Sequence, residues 1–294
     1  MNLWLQVELT IPATAADAVT QALQQLAALA ISLGDPGGEP ILEPGPGATP
    51  LWSQVIVTAL LPPETGEDAV RSALSRLRDP PLAGFRFAYI EERDWVREFR
   101  QNLGPMRFGE RLWICPTDMP CPDAAGVALT LEPGLAFGSG SHPTTALCLR
   151  WLAALDLGAL TVLDWGCGSG VLAIAALALG ARSATALDID PQARQATADN
   201  ARRNGYAGGV RIAEPARLPL GAQHDVVVAN ILADTLIAIA TALRQHARNG
   251  ARVALSGILA AQAERVRAAC APWFALRLAA ELGGWVLLAG TARP

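Results

Sequence analysis

The sequence predicts an α/β chain in two parts: a small α+β domain of ferredoxin-like layout, then a Rossmann-like sheet whose last strand runs antiparallel. Three observations carry this. Strand-like and helical runs alternate through the second half of the 294 residues; a glycine-rich turn joins the first such strand to its helix; and a hairpin around Gly283-Gly284 follows five β/α units. A hairpin in that place is not the ending of an ordinary NAD domain.

Taken in order, LWLQVELTI (3–11) alternates as a strand and ATAADAVTQALQQLAAL (13–29) has helical spacing. A Gly/Pro-rich loop (34–50) precedes a strand SQVIVTALL (53–61), a helix ETGEDAVRSALSRLRD (64–79) and a strand FRFAYIEE (85–92). Two βαβ-like passes with no chemically distinctive residues give a recognition domain over 1–93. Residues 94–125 read as a linker, with a short helix, a turn at Gly104-Pro105, the strand-like LWICP and a Pro-rich end. Trp95 and Phe99 are expected to pack between the domains. The main domain covers 126–294, with strands expected at 161–166, 183–190, 210–214, 225–231 and 250–258. Helices follow four of these, the last two over 233–247 and 260–271, and the tail 274–292 reads as two strands.

Composition narrows the function. The residues through 95 hold 5 Arg against 12 acids, a net of −7, while the remainder holds 18 Arg against 15 acids, a net of +3. An acidic first third argues against a nucleic-acid ligand and suits either a basic protein partner or an ordinary solvated surface. No apolar run is long enough to span a membrane, and the N-terminus shows no basic region or cleavage signature, so neither membrane nor signal peptide is expected. Five scattered cysteines without CxxC and three separated histidines fit a reducing cytoplasm and no metal site.

The chemistry concentrates in three places. VLDWGCGSGVLAIAALALG sets Gly166, Gly168 and Gly170 between an apolar strand and an apolar helix, where glycine lets a ligand approach the backbone and the helix start. Asp188 lies 22 residues after Gly166, at the end of the next strand, where a carboxylate can accept both hydroxyls of a ribose. Asp190 shares its side of the strand, but Asp190-Pro191 reads as a helix cap with Pro at the first helical position, so the ribose is assigned to Asp188. In GSGSHPTTALCL, Ser141 or His142 can cap a helix begun by Pro143, with Thr145 in its first turn facing an anion. Cys167 reads as a small residue packing beneath the ligand and His142 as structural.

The Asp164-x-Gly-x-Gly-x-Gly pattern resembles class I S-adenosylmethionine-dependent methyltransferases, and the hairpin ending agrees. Such enzymes present a substrate-facing residue after the fourth strand, here Asn230 in DVVVANILA; amine methyltransferases often carry Asn-Pro-Pro-aromatic where this chain has Asn-Ile-Leu-Ala. More specifically, PMRFGERLWICP, LEPGLAFGSGSHPTTALCL, LDWGCGSGVLAIAALALGA, LDIDPQA, DNARRNG, VVVANILA and LSGILAAQAERV are similar to the PrmA family, methyltransferases of large-subunit ribosomal protein eleven. The likeness is dense from about 94 to 266 and looser in the N-terminal domain. It implies S-adenosyl-L-methionine bound by Thr145, Gly166, Asp188 and Asn230. It further implies methyl transfer to the α-amine and lysine amines of that protein; the substrate is expected free of the ribosome, the chain is expected in the cytoplasm from its cysteine usage, and a monomer is the default expectation. Asn230 is also the candidate for orienting the substrate amine. The alternatives are a methyltransferase acting on RNA or a small-molecule amine, an NAD oxidoreductase and a silent binding module. GxGxG spacing and the absence of lysine, which forbids a Tyr-Lys pair, argue against the oxidoreductase.

Overall fold

In the computed structural model, which describes residues 3–37, 51–77, 84–91, 104–117, 119–123, 125–131 and 140–294, LWLQVELTIP lies inside an antiparallel sheet. The chain divides into two units, Met1–Glu98 and Phe99–Pro294. In the first, β1 (Leu3–Pro12), α1 (Ala16–Gln25), β2 (Ala30–Gly34), β3 (Gln54–Leu61), α2 (Glu67–Ser75) and β4 (Arg86–Glu91) follow in sequence. Sheet order β2-β3-β1-β4, antiparallel throughout, gives the ferredoxin-like layout. Alternation puts Leu5, Val7, Leu9 and Ile11 of β1 on one face, beside Val55, Val57, Ala59 and Leu61 of β3. Val19, Leu23, Val70 and Leu74 from the two helices close over that face.

The helix expected to residue 29 stops at Gln25, and Ala27 takes φ +59° where the chain reverses. The strand β2 that follows was not foreseen. It buries no residue fully, so its sequence carries no apolar alternation, and its pairing to β3 alone defines it.

The second unit begins with a three-stranded sheet, β5 (Met106–Phe108), β6 (Leu112–Pro116) and β7 (Val127–Leu131), in that order. LWICP is therefore a strand, as expected, though not part of a free connector. Phe108, Leu112 and Ile114 are buried in one core with the helices of the main sheet. The short helix expected within 93–103, and the packing expected of Trp95 and Phe99, lie outside the described residues.

Then come α3 (Pro143–Ala153), β8 (Thr161–Trp165), α4 (Val171–Ala178), β9 (Ser183–Leu187), α5 (Pro191–Arg203), β10 (Val210–Ala213) and β11 (His224–Asn230). The chain ends with α6 (Ala233–Gln245), β12 (Ala247–Leu259), α7 (Ala263–Cys270), β13 (Phe274–Leu282) and β14 (Trp285–Ala292). These strands form one sheet of order β10-β9-β8-β11-β12-β14-β13. The first five are parallel, and β14 runs antiparallel between β12 and β13, as the hairpin predicts. Residues of α3 and α4 join the core on one face, and residues of α6 and α7 join the core on the other. The order turns back between β8 and β11, and such a reversal opens a crevice at the carboxyl ends of the strands. No described helix is long and apolar enough to cross a membrane.

Leu23 is fully buried between α1 and the sheet of the first unit. Leu23→Ala is expected to cost that unit about 2–5 kcal/mol. Urea unfolding should show a lowered midpoint for its transition; an unmoved midpoint would mean that the helix contributes little to this core.

Candidate active site

At the carboxyl edge of β8 the chain must turn sharply into α4. Gly166 takes φ +79°, and a Cβ there would lie 2.3 Å from Ile231 Cγ2. Gly257, on β12, meets the same residue from the other side, since its Cβ would fall 2.3 Å from the Ile231 carbonyl oxygen. Three strand ends thus close on one another with no room for a methyl group. The turn is braced from below. Gly166 and Cys167 N–H groups donate to the Leu187 carbonyl at 2.8 and 2.9 Å. Thr197 Oγ1 donates to the Gly168 carbonyl at 3.0 Å, and Asn200 Nδ2 donates to the Ser169 carbonyl at 2.9 Å. The braces sit on α5, inside and beside DNARRNG. The sequence marked that segment without giving it a task.

Asp188 stands against this turn. Its Oδ2 accepts from Gly168 N at 3.0 Å and its Oδ1 from Asp190 N at 3.0 Å. A carboxylate oxygen has two acceptor sites, so capacity remains for hydroxyl donors. Asp190 caps α5 through Gln192 N at 2.8 Å, as its sequence context predicts. His142 caps α3, with its Nδ1 accepting from Thr144 N at 3.4 Å and lying 2.8 Å from Thr144 Oγ1. Burial lowers the His142 pKa, which favours the neutral ring. Gly138 and Ser139 of the preceding loop lie outside the described residues.

Thr145, in the first turn of α3, is buried, and its Oγ1 accepts from Asn230 Nδ2 at 3.2 Å. The other end of that amide, Asn230 Oδ1, is buried and has no hydrogen-bond partner among the described residues. A buried acceptor left this way costs free energy until a donor reaches it.

All four predicted residues, Thr145, Gly166, Asp188 and Asn230, line a single cleft of about 520 Å³. Sequence reasoning missed most of its apolar surface: Trp165, Ile189, Pro215, Leu232 and Trp285. Ile189, 79 % exposed beside Asp188, presents an aliphatic side chain to the cleft. Cys167 is buried, its sulfur 3.3 Å from Thr197 Oγ1, and burial raises its thiol pKa, which makes it a poor nucleophile.

Beneath the turn, Asp164 is fully buried, with Oδ2 accepting from Ala173 N at 3.1 Å in the first turn of α4 and Oδ1 unpartnered. Burial pushes its carboxyl up to about 7; the Ala173 hydrogen bond opposes the rise and the Asp188 charge adds to it.

A sheet of this strand order with an antiparallel final hairpin, a glycine turn beside a carboxylate after the second strand, a hydroxyl-bearing helix start and an asparagine after the fourth strand define an S-adenosylmethionine-dependent methyltransferase of class I. The chain belongs to the ribosomal protein L11 methyltransferase (PrmA) family, whose model matches residues 3–293. Among curated relatives, the ribosomal protein L11 methyltransferase of Alkalilimnicola ehrlichii is 50% identical over 273 residues, 92% of each chain. That of Azotobacter vinelandii is 47% identical over 297 residues, 99% of each. A crystal structure of ribosomal protein L11 methylase from Lactobacillus delbrueckii subsp. bulgaricus matches with a TM-score of 0.58 and 33% identity, over 65% of this chain and 100% of that one.

Two outcomes follow from the site's construction. Gly166→Ala must displace Ile231 or the turn, and calorimetry with S-adenosylhomocysteine is expected to show binding weakened by about a hundredfold or more; unchanged affinity would show that the close approach is dispensable. Asp164 holds its proton in the folded state over a range where the unfolded chain, titrating near 3.9, does not. Its stabilising effect is therefore complete below about pH 4 and lost as pH rises to about 7, on the order of 4 kcal/mol. Unfolding free energies measured across that range should fall for the wild type relative to Asp164→Asn; parallel curves would contradict the raised carboxyl.

Proposed function

We propose that this chain transfers methyl groups from S-adenosylmethionine to amino groups of ribosomal protein L11, the N-terminal α-amine and lysine side chains among them. The observation that carries the reading is Asn230, which lines the cleft with its Nδ2 donating to Thr145 Oγ1 and its Oδ1 without a hydrogen-bond partner among the described residues. An amine offers the N–H donor that this oxygen lacks. In this reading Asp188 takes the ribose hydroxyls, the open backbone at Gly166 admits the nucleoside, and the start of α3 with Thr145 receives the carboxylate of the methionine part. The bound cofactor supplies a methyl group on an already activated sulfonium, so the protein's share of the rate is mainly positioning.

An attacking amine must be neutral, and an α-amine titrates near 8 whereas lysine titrates near 10.4. The apolar walls Trp165, Ile231, Leu232 and Trp285 favour the uncharged form by withholding solvent. His142 is committed to capping α3, so the proton is assigned to water. Because the cleft's lining runs from His142 to Trp285 of one chain, a monomer suffices. The net charge of −7 through residue 95 would be repelled by an RNA-coated surface, which favours meeting the substrate free of the ribosome, in the cytoplasm where ribosomal proteins are made.

With tritium-labelled S-adenosylmethionine, the label should pass to purified L11 and not to ribosomal RNA; label on RNA alone would replace this reading with the RNA alternative. Asn230→Ala is expected to lower kcat by about 10–100-fold at saturating cofactor, and full turnover would remove Asn230 from its orienting role.

A further inference from the structure

The cleft extends past the residues assigned to the cofactor. Asp188 follows β9, Gly166 follows β8 and Asn230 ends β11, so these three occupy adjacent strand positions. Trp285 opens β14 opposite Leu259 at the end of β12, two positions beyond Asn230 and four beyond Asp188. At about 4.8 Å per strand that places it roughly 10 Å from the Asn230 strand and roughly 19 Å from the Asp188 strand. The nucleoside end of the cleft, with Ile189 and Pro215, therefore lies opposite the Trp285 end.

Trp285 is built as a wall rather than as core. It is half-buried and faces the cleft, whereas Val286, Leu287, Leu288 and Ala289 after it are buried. Its ring meets His142 edge-on, with centroids 5.2 Å apart and planes at 68°. His142 caps the helix that carries Thr145, so the indole and the acceptor amide are fixed to one framework. Leu232, 54% exposed, lines the cleft two residues after Asn230. Asp188 is the single carboxylate among the described lining residues, and it stands at the far end.

The geometry points to Trp285 as a specificity-determining residue: its indole, held by His142, packs along the alkyl stem of an incoming lysine and sets the amine toward Asn230, which lines the same cleft. This rests on the amine-transfer reading above. Lysine carries four methylenes that pack well on apolar surface beneath a polar tip. The N-terminal α-amine has no such stem, so it depends on the wall far less. The wall thus discriminates between two acceptors that share one transfer step.

The test measures both acceptors in one reaction. L11 is methylated by wild type, Trp285→Ala and Trp285→Phe, and mass spectrometry follows lysine and α-amine products separately. S-adenosylhomocysteine affinity is measured for each by calorimetry. Trp285→Ala is expected to lower kcat/KM for lysine by about tenfold, chiefly through KM, and for the α-amine by less than about threefold. Trp285→Phe should recover most of the lysine rate, with cofactor-product affinity unchanged in both variants. Equal losses at lysine and α-amine, or a parallel loss of S-adenosylhomocysteine binding, would overturn the assignment. A wild type that labels neither amine refutes the amine-transfer reading and this inference with it. A wild type that labels both, with a lysine to α-amine ratio unmoved in the variants, refutes Trp285 alone.

Discussion

The hydrogen bond from Gly168 N to Asp188 Oδ2, 3.0 Å long, joins the two halves on which the rest of the site depends. It ties the turn after β8 to the acid after β9. A second bond, from Asp190 N to Oδ1, fixes the carboxylate's rotation. Neither oxygen is exhausted, so the group is oriented yet still able to accept. Preorganisation of this kind removes an ordering cost from ligand binding, because the chain has already met it in folding.

The framework around that bond gives up stability for shape. Gly166 and Gly257 hold left-handed backbone against Ile231, Asp164 lies fully buried, and one Asp164 oxygen and Asn230 Oδ1 have no partner among the described residues. The two unpartnered oxygens are each unfavourable in isolation, and the two glycine positions exclude any side chain. The large apolar cores on both faces of the seven-stranded sheet make them tolerable. Unfavourable groups gathered at one end of a sheet are what a ligand site requires and a purely structural domain avoids.

Much of this was legible in the sequence, and particular residues show why. Asp190-Pro191 declared a helix cap, which left Asp188 for the ribose; the structure shows Asp190 capping α5 and Asp188 lining the cleft. His142-Pro143 declared another cap in the same manner. These are local signals, written by neighbours along the chain. Thr197, Asn200 and Trp285 act across 29 or more residues, or from another strand, and no nearby pattern assigns them a task. β2 escaped notice because a strand without a buried face has no alternation to read. The segment 106–116 was read as linker because prolines and glycines around it suggested a connector, while its burial depends on helices placed much later in the chain.

The central claim is that the β8 turn, Asp188, the start of α3 and Asn230 together form one site for one nucleoside. Isothermal titration of the purified chain with S-adenosylhomocysteine tests it most directly. The account requires one-to-one binding, competed by S-adenosylmethionine and not by NAD. Absence of heat at millimolar ligand, or equal competition by NAD, would contradict it.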